Sequence, residues 1–139
     1  MKAPNKEVRK YVYDLLNGDI TLSSTVIPVT SSPKKDTGKL YIQIGNISVT
    51  DFSTKDKYIT KCLVEIAVIG VYADEATNYT QVEEISSQIL DLLIDNKGET
   101  VSFKVDWVHF INSVESMAMT EAERIIENII TIELLTEEK

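Results

Sequence analysis

Cysteine and histidine are nearly missing from this chain: Cys62 and His109 are the only residues of their kinds. A single cysteine excludes an intramolecular disulfide framework and a cysteine-rich zinc site. Cys62 therefore reads as a small core residue. A single histidine leaves no obvious base for nucleophilic catalysis. His109 shares a strand face with Trp107 and Ile111, where a structural histidine and a core tryptophan are the simpler readings, with an interface anchor the alternative for Trp107. Glycine is sparse and scattered. Gly18, Gly38, Gly45, Gly70 and Gly98 stand apart and no Gly-Lys-Ser/Thr occurs, so no phosphate-cradling loop is present. Long apolar runs are missing too. Lys61 and Glu65 interrupt the longest, well short of the roughly 18 to 20 residues that span a bilayer, so no membrane contact is expected. The opening MKAPNKEVRKYVYDLL threads charges through any apolar stretch and carries no signal peptide, and an intracellular protein is expected. Glu121 and Glu123 lack the glycine-punctuated spacing of a calcium loop and read as a solvated turn, so neither metal nor cofactor is expected.

What is present is an ordinary globular balance, 43% hydrophobic and 26% charged over 139 residues. That is the size of one domain, expected to cover 1–139. The net charge of −8 is unevenly spread. Residues 1–62 hold ten Lys/Arg against six Asp/Glu, and residues 63–139 hold four against sixteen. An acidic surface of this kind repels phosphates and disfavours sequence-reading contact with nucleic acid, and its plainest role is solubility.

Residues 5–17 place Val8, Val12, Leu15 and Leu16 at helical spacing, with Asn5 as a cap and Asn17-Gly18 as a left-handed stop. Val26-Ile27-Pro28-Val29 follows; Pro28 lacks an amide donor and allows only an edge strand or an extended segment. TSSPKKDTGK, residues 30–39, reads as a mobile loop with a basic tip at Lys34, Lys35 and Lys39, a solvated connector or a binding loop. The organising stretch is KLYIQIGNISVTDFSTKDKYITKCLVEIAVIGVYA, residues 39–73. Leu40, Ile42 and Ile44 alternate with Tyr41 and Gln43, Gly45-Asn46 marks a bulge or a bend, and Asp51–Lys57 is a turn. In the second strand Tyr58, Thr60, Cys62, Val64, Ile66, Val68 and Tyr72 share one face, apolar almost throughout; the other face becomes apolar towards its end, and a helix or a neighbouring subunit should cover that end. Thr80-Gln81-Val82-Glu83 fits a capping box opening a helix with Val82, Ile85, Ile89, Leu92 and Leu93 in its stripe. Val101 to Ile111 alternates as a third long strand. The stretch EAERIIENIITIELL admits helix or strand; its β-branched residues and the need of residues 101–114 for a pairing partner favour strand. The fold predicted is α+β, one mainly antiparallel β-sheet of about four to five strands packed with two α-helices.

The run from Leu40 to Leu93 resembles the tail-terminator, or tail-completion, family of long-tailed bacteriophages. The resemblance is carried by Tyr41-Ile42-Gln43-Ile44-Gly45, the turn Asp51-Phe52-Ser53-Thr54-Lys55, and the bend Tyr72-Ala73-Asp74 before the helix. The order of elements matches across nearly the whole chain. An aromatic, often tryptophan, stands in the family where Phe52 stands here, and the tryptophan-serine pair common near Val71-Tyr72 is missing.

The resemblance implies a structural ring component of a virion, not an enzyme, assembled in the host cytoplasm. It implies a homo-hexamer on the head-proximal end of the tail tube that ends tail polymerisation and joins the head. The partners implied are the tail tube protein and head connector or adaptor proteins, with DNA passing through the lumen without sequence-specific binding. The acidic C-terminal half is then a candidate lumen lining. Lys34, Lys35 and the turn Asp51, Phe52, Ser53, Thr54 and Lys55 are the candidate contact residues. Two other readings stay open. One is a head-completion, adaptor or minor tail protein of the same plan; the other is a small oligomeric enzyme or ligand-binding domain, with a pocket near His109 and Asp106.

Overall fold

The computed structural model describes residues 2–32, 38–73 and 79–139. Its elements run α1 (Asn5–Leu16), β1 (Thr21–Leu22), β2 (Thr25–Val26), β3 (Val29–Thr30), β4 (Leu40–Asp51), β5 (Ile59–Ala73), α2 (Tyr79–Leu93), β6 (Gly98–Glu99), β7 (Phe103–Met119) and β8 (Glu123–Glu138).

Four long strands form the body of the sheet. β4, β5, β8 and β7 lie side by side in that order, each antiparallel to the next. β5 and β8 stay in unbroken register from Ile59↔Glu137 to Ala73↔Glu123. Alternate residues of these two central strands, Cys62, Val64, Ile66 and Val68 on one and Ile126, Ile130, Ile132 and Leu134 on the other, are buried on one face. Both helices lie on that face. α1 buries Val8, Val12 and Leu16, and α2 buries Val82, Ile85, Ile89 and Leu93, the stripes that a 3.6-residue period dictates. Burying a side chain of this size removes it from water for about 1.5–3 kcal/mol, so these two stripes are what hold the helices to the sheet. The C-terminal segment is strand throughout, because only an extended β8 can satisfy β5 and β7 at once.

The sheet corrects the expected one mainly antiparallel sheet of four to five strands. The described residues hold a six-stranded mixed sheet, in the order β3-β4-β5-β8-β7-β6, and a separate two-stranded ribbon of β1 and β2. The mixed character comes from β3, which runs parallel to β4 with Val29 opposite Ile42. Two-residue strands such as β3 and β6 carry no periodicity, so alternation along the chain cannot reveal them. The β1–β2 ribbon turns on Ser23 and Ser24, at φ +49° and +69°, a left-handed pair that serine rarely supplies. Gln88 of α2 grips Thr21 of the ribbon twice: its Nε2 donates to the Thr21 carbonyl and its Oε1 accepts from the Thr21 N–H.

Local details also differ from expectation. Asn5 is the first helical residue, and Val8 N–H donates to the carbonyl of Pro4 instead of to a side-chain cap. Thr80, the threonine expected to cap α2, already lies within the helix. Gly18 does take the left-handed conformation past α1, at φ +84°, and the β4 bulge falls between Ile44 and Ile47 around Gly45-Asn46. Gly45 sits so close to the β5 backbone that a Cβ there would lie 3.3 Å from the Glu65 carbonyl. In the predicted loop 30–39, Thr30 belongs to β3 and Lys39 is anchored; Lys34 and Lys35 lie outside the described residues.

Candidate functional site

The β4–β5 turn is a rigid tip. Asp51 accepts from Ser53 N–H at 2.9 Å, Phe52 N–H donates to the Ile59 carbonyl at 2.8 Å, and Ile59 N–H donates to Ser53 Oγ at 3.1 Å. The Ser53 hydroxyl and amide hold the Asp51 carboxyl below its ordinary range, so at neutral pH it is a charged clasp across the turn. Locking the backbone leaves the side chains to face outward. Phe52 and Tyr58 are each more than half exposed, and Lys61 places its ammonium 4.1 Å above the Phe52 ring. Lys57 reaches Glu137 of β8 at 3.2 Å. The structure thus brings Asp51, Phe52 and Ser53 together in one clasped turn, with Thr54 closing it through its N–H to the Lys57 carbonyl.

The second surface lies at the opposite end of the sheet. From Phe110 to Met119 every residue of β7 is exposed. Phe110, Ile111, Val114, Met117 and Met119 are the large apolar side chains exposed there, Phe110 and Met117 on one face of the sheet and Val114 on the other, and Glu115 is the one charged side chain in the segment. Two register shifts, at Val105/Trp107 and Phe110/Asn112, each insert an extra residue and bend β7. Alternation in the sequence pointed to the strand but gave no sign that its second half faces solvent, because exposure depends on what the helices fail to reach.

The helix-free face of the sheet is the third. The registers place Glu65 of β5 and Glu127, Glu133 and Glu137 of β8 on it, together with Lys61. Trp107 and His109 lie on this face, with rings stacked 4.0 Å apart. Trp107 is only half-buried and His109 is exposed, so neither sits in the core, and the interface-anchor alternative for Trp107 stays open. Cys62 is buried as expected, and burial raises its thiol pKa. Glu123 pairs with Lys39 at 2.8 Å, so this end of β8 is tied to the start of β4.

Two clefts open beside β6. One, of about 260 Å³, is walled by Tyr11, Asp14, Glu99 and Val101. The other is wide open, and Asp106 borders it beside Lys97 and Lys104, while His109 does not. Glu7 closes the neighbouring loop by accepting from Thr100 Oγ1 at 2.7 Å and Ser102 N–H at 2.8 Å. No described helix is long and apolar enough to cross a membrane.

No family model matches the chain, and no curated protein matches it. Among solved structures, the chain is similar to one from the virion of a native gene transfer agent particle. That match covers 100% of both chains at 17% identity, with a TM-score of 0.78. At this identity the likeness is one of fold.

Proposed function

We propose that this chain is a structural assembly protein of a phage-type virion, one domain that forms a hexameric ring on the head-proximal end of the tail tube, ends tail polymerisation and offers the head its docking surface. One observation carries the reading: a fold shared end to end with a chain of a virion, in a sequence whose strand-turn-strand-helix run resembles the tail-terminator family.

The surfaces suit the role. A rigid tip with exposed Phe52 and Tyr58 is built to enter a complementary surface, since aromatic side chains bury much area for little conformational entropy. That tip meets the tail tube or the head connector, and Lys34 and Lys35 add a basic contact. The helix-free face, with Glu65, Glu127 and Glu133, lines the lumen, where carboxylates let DNA pass without gripping its phosphates.

Native mass measured over a concentration series, followed by electron microscopy of the largest species, tests this. Six-fold rings with a hole wide enough for duplex DNA are expected. A compact dimer holding a small molecule would instead favour a ligand-binding domain. A head-completion or minor tail protein of the same fold would form rings that fail to cap purified tail tubes.

A further inference from the structure

A sheet edge with unpaired main-chain groups is a template for another strand, and proteins that keep such an edge to themselves guard it with charge, proline or a covering segment. The two edges of this sheet are guarded unequally and at opposite ends. On the β4 edge, β3 pairs with Ile42 and Gln43, and Arg9 Nη1 donates to the Ile44 carbonyl at 2.9 Å. Beyond the bulge, from Ile47 to Asp51, the outer side of β4 has no strand partner among the described residues. On the β7 edge the cover is at the other end. β6 pairs with Lys104 and Val105, and Asp95 N–H donates to the Val108 carbonyl at 3.0 Å. From Phe110 to Met119 no described strand pairs with the outer side, and Glu115 is the only charge.

The registers set these steps at matching heights. Following Gln43↔Ala67, Ala67↔Ile129 and Ile129↔Val114 across the sheet puts β3, at Thr30, level with Val114 in the open half of β7. Following Asp51↔Thr60, Thr60↔Thr136 and Thr136↔Val105 puts β6 level with the open half of β4. Directions agree as well. β4, β5, β8 and β7 alternate, so β7 runs opposite to β4 and to β3, and a rotation about an axis along the strands keeps it so.

We infer that the occupant of both edges is a second copy of this chain, joined head-to-tail in a stepped seam: β3 of one copy adds antiparallel to Phe110–Met119 of the next, and β6 fills the step along β4. Such a contact is heterologous and closes into a ring when its rotation closes. The seam rests on the ring reading above and names the surface that builds it.

Cysteine pairs test it in the full chain. Thr30→Cys is combined in turn with Asn112→Cys, Val114→Cys and Ser116→Cys, which share one face at two-residue steps and so allow for strand tilt. Oxidation of one such double variant is expected to give a covalent ladder ending at the ring, while each single variant stays monomeric on a denaturing gel. Thr120 N–H donates to the Glu123 carbonyl and the β7–β8 register is unbroken from Asn112 to Met119, so alternation turns the amide of Ser113 away from β8. Ser113→Pro should therefore keep the fold's thermal transition yet raise the concentration needed for rings at least about tenfold, through lost main-chain pairing. Rings that form without crosslinks from any pair, or that Ser113→Pro leaves unchanged, overturn the seam and leave the ring reading standing. Dimers from Val114→Cys alone mean two-fold pairing of β7 with itself and also overturn it. A chain that stays monomeric when concentrated overturns both.

Discussion

Asn128 is the residue whose surroundings demand most of its neighbours. It is buried on β8, its amide nitrogen donates to Ser86 Oγ at 2.8 Å, and its side-chain oxygen has no partner among the described residues. Ser86 in turn donates to the Val82 carbonyl at 2.7 Å. Removing Ser86 alone would strand the amide as well, so Ser86→Ala should destabilise by about 1–3 kcal/mol in chemical denaturation. Ser86→Ala with Asn128→Val should recover most of that loss, because no polar group is then left buried without a partner. Glu7 makes a pH prediction. Its carboxyl is held below the ordinary range, first by the Thr100 hydroxyl and also by Ser102, despite the opposing cost of burial. A depressed carboxylate stabilises the fold above its unfolded pKa and loses that contribution as pH falls through the folded one. The Thr100–Ser102 loop should therefore gain hydrogen-exchange rate below about pH 4, and Glu7→Gln should make that change at neutral pH.

At the scale of elements, the tight places are where strand meets helix. Tyr72 folds back over Gly70 to donate its hydroxyl to Gln81 of α2 at 2.9 Å, and a Cβ on Gly70 would come within 2.6 Å of that ring. Gly70→Ala should push the ring off Gln81 and lower the melting temperature, and Tyr72→Phe should show how much of the loss is the hydrogen bond. The Ser23-Ser24 turn predicts the opposite sign. Asn-Gly suits a left-handed pair far better, so Ser23→Asn with Ser24→Gly should raise stability by about 0.5–1 kcal/mol, read as a higher melting temperature. The long strands and both helices were legible in the chain because each repeats its period over many residues, and the irregularity at Gly45-Asn46 because it breaks one. β3, β6 and the ribbon were not, since two residues hold no period and their partners are far away in sequence.

For the whole molecule, the uneven charge becomes a matter of faces. Glu65, Glu127 and Glu133 are 68 residues apart at the extremes of the chain segment they span, yet the β5–β8 register sets them on one helix-free surface. On the ring reading proposed above, changing all three to lysine should leave rings intact but make them retain duplex DNA at low salt and release it as salt rises, measured by co-sedimentation. Retention by the unaltered ring would count against an acidic lumen. On the same proposal, charge reversal at Lys34 and Lys35 should weaken capping of tail tubes without changing native mass; unaltered capping would remove those two lysines from the proposed contact surface.

Alternation and helical spacing are local, so the chain alone determined that residues 5–16 form a helix, that Cys62 to Val68 present one apolar face, and that the tip at Asp51–Lys55 turns. It also determined that the C-terminal half is acidic. Which acids share a face, which half of β7 is left uncovered, and where Trp107 and His109 end up were decided only by tertiary structure. Those depend on register between strands distant in sequence and on the reach of two helices that cover a single face, and neither quantity is written in the spacing of any one segment.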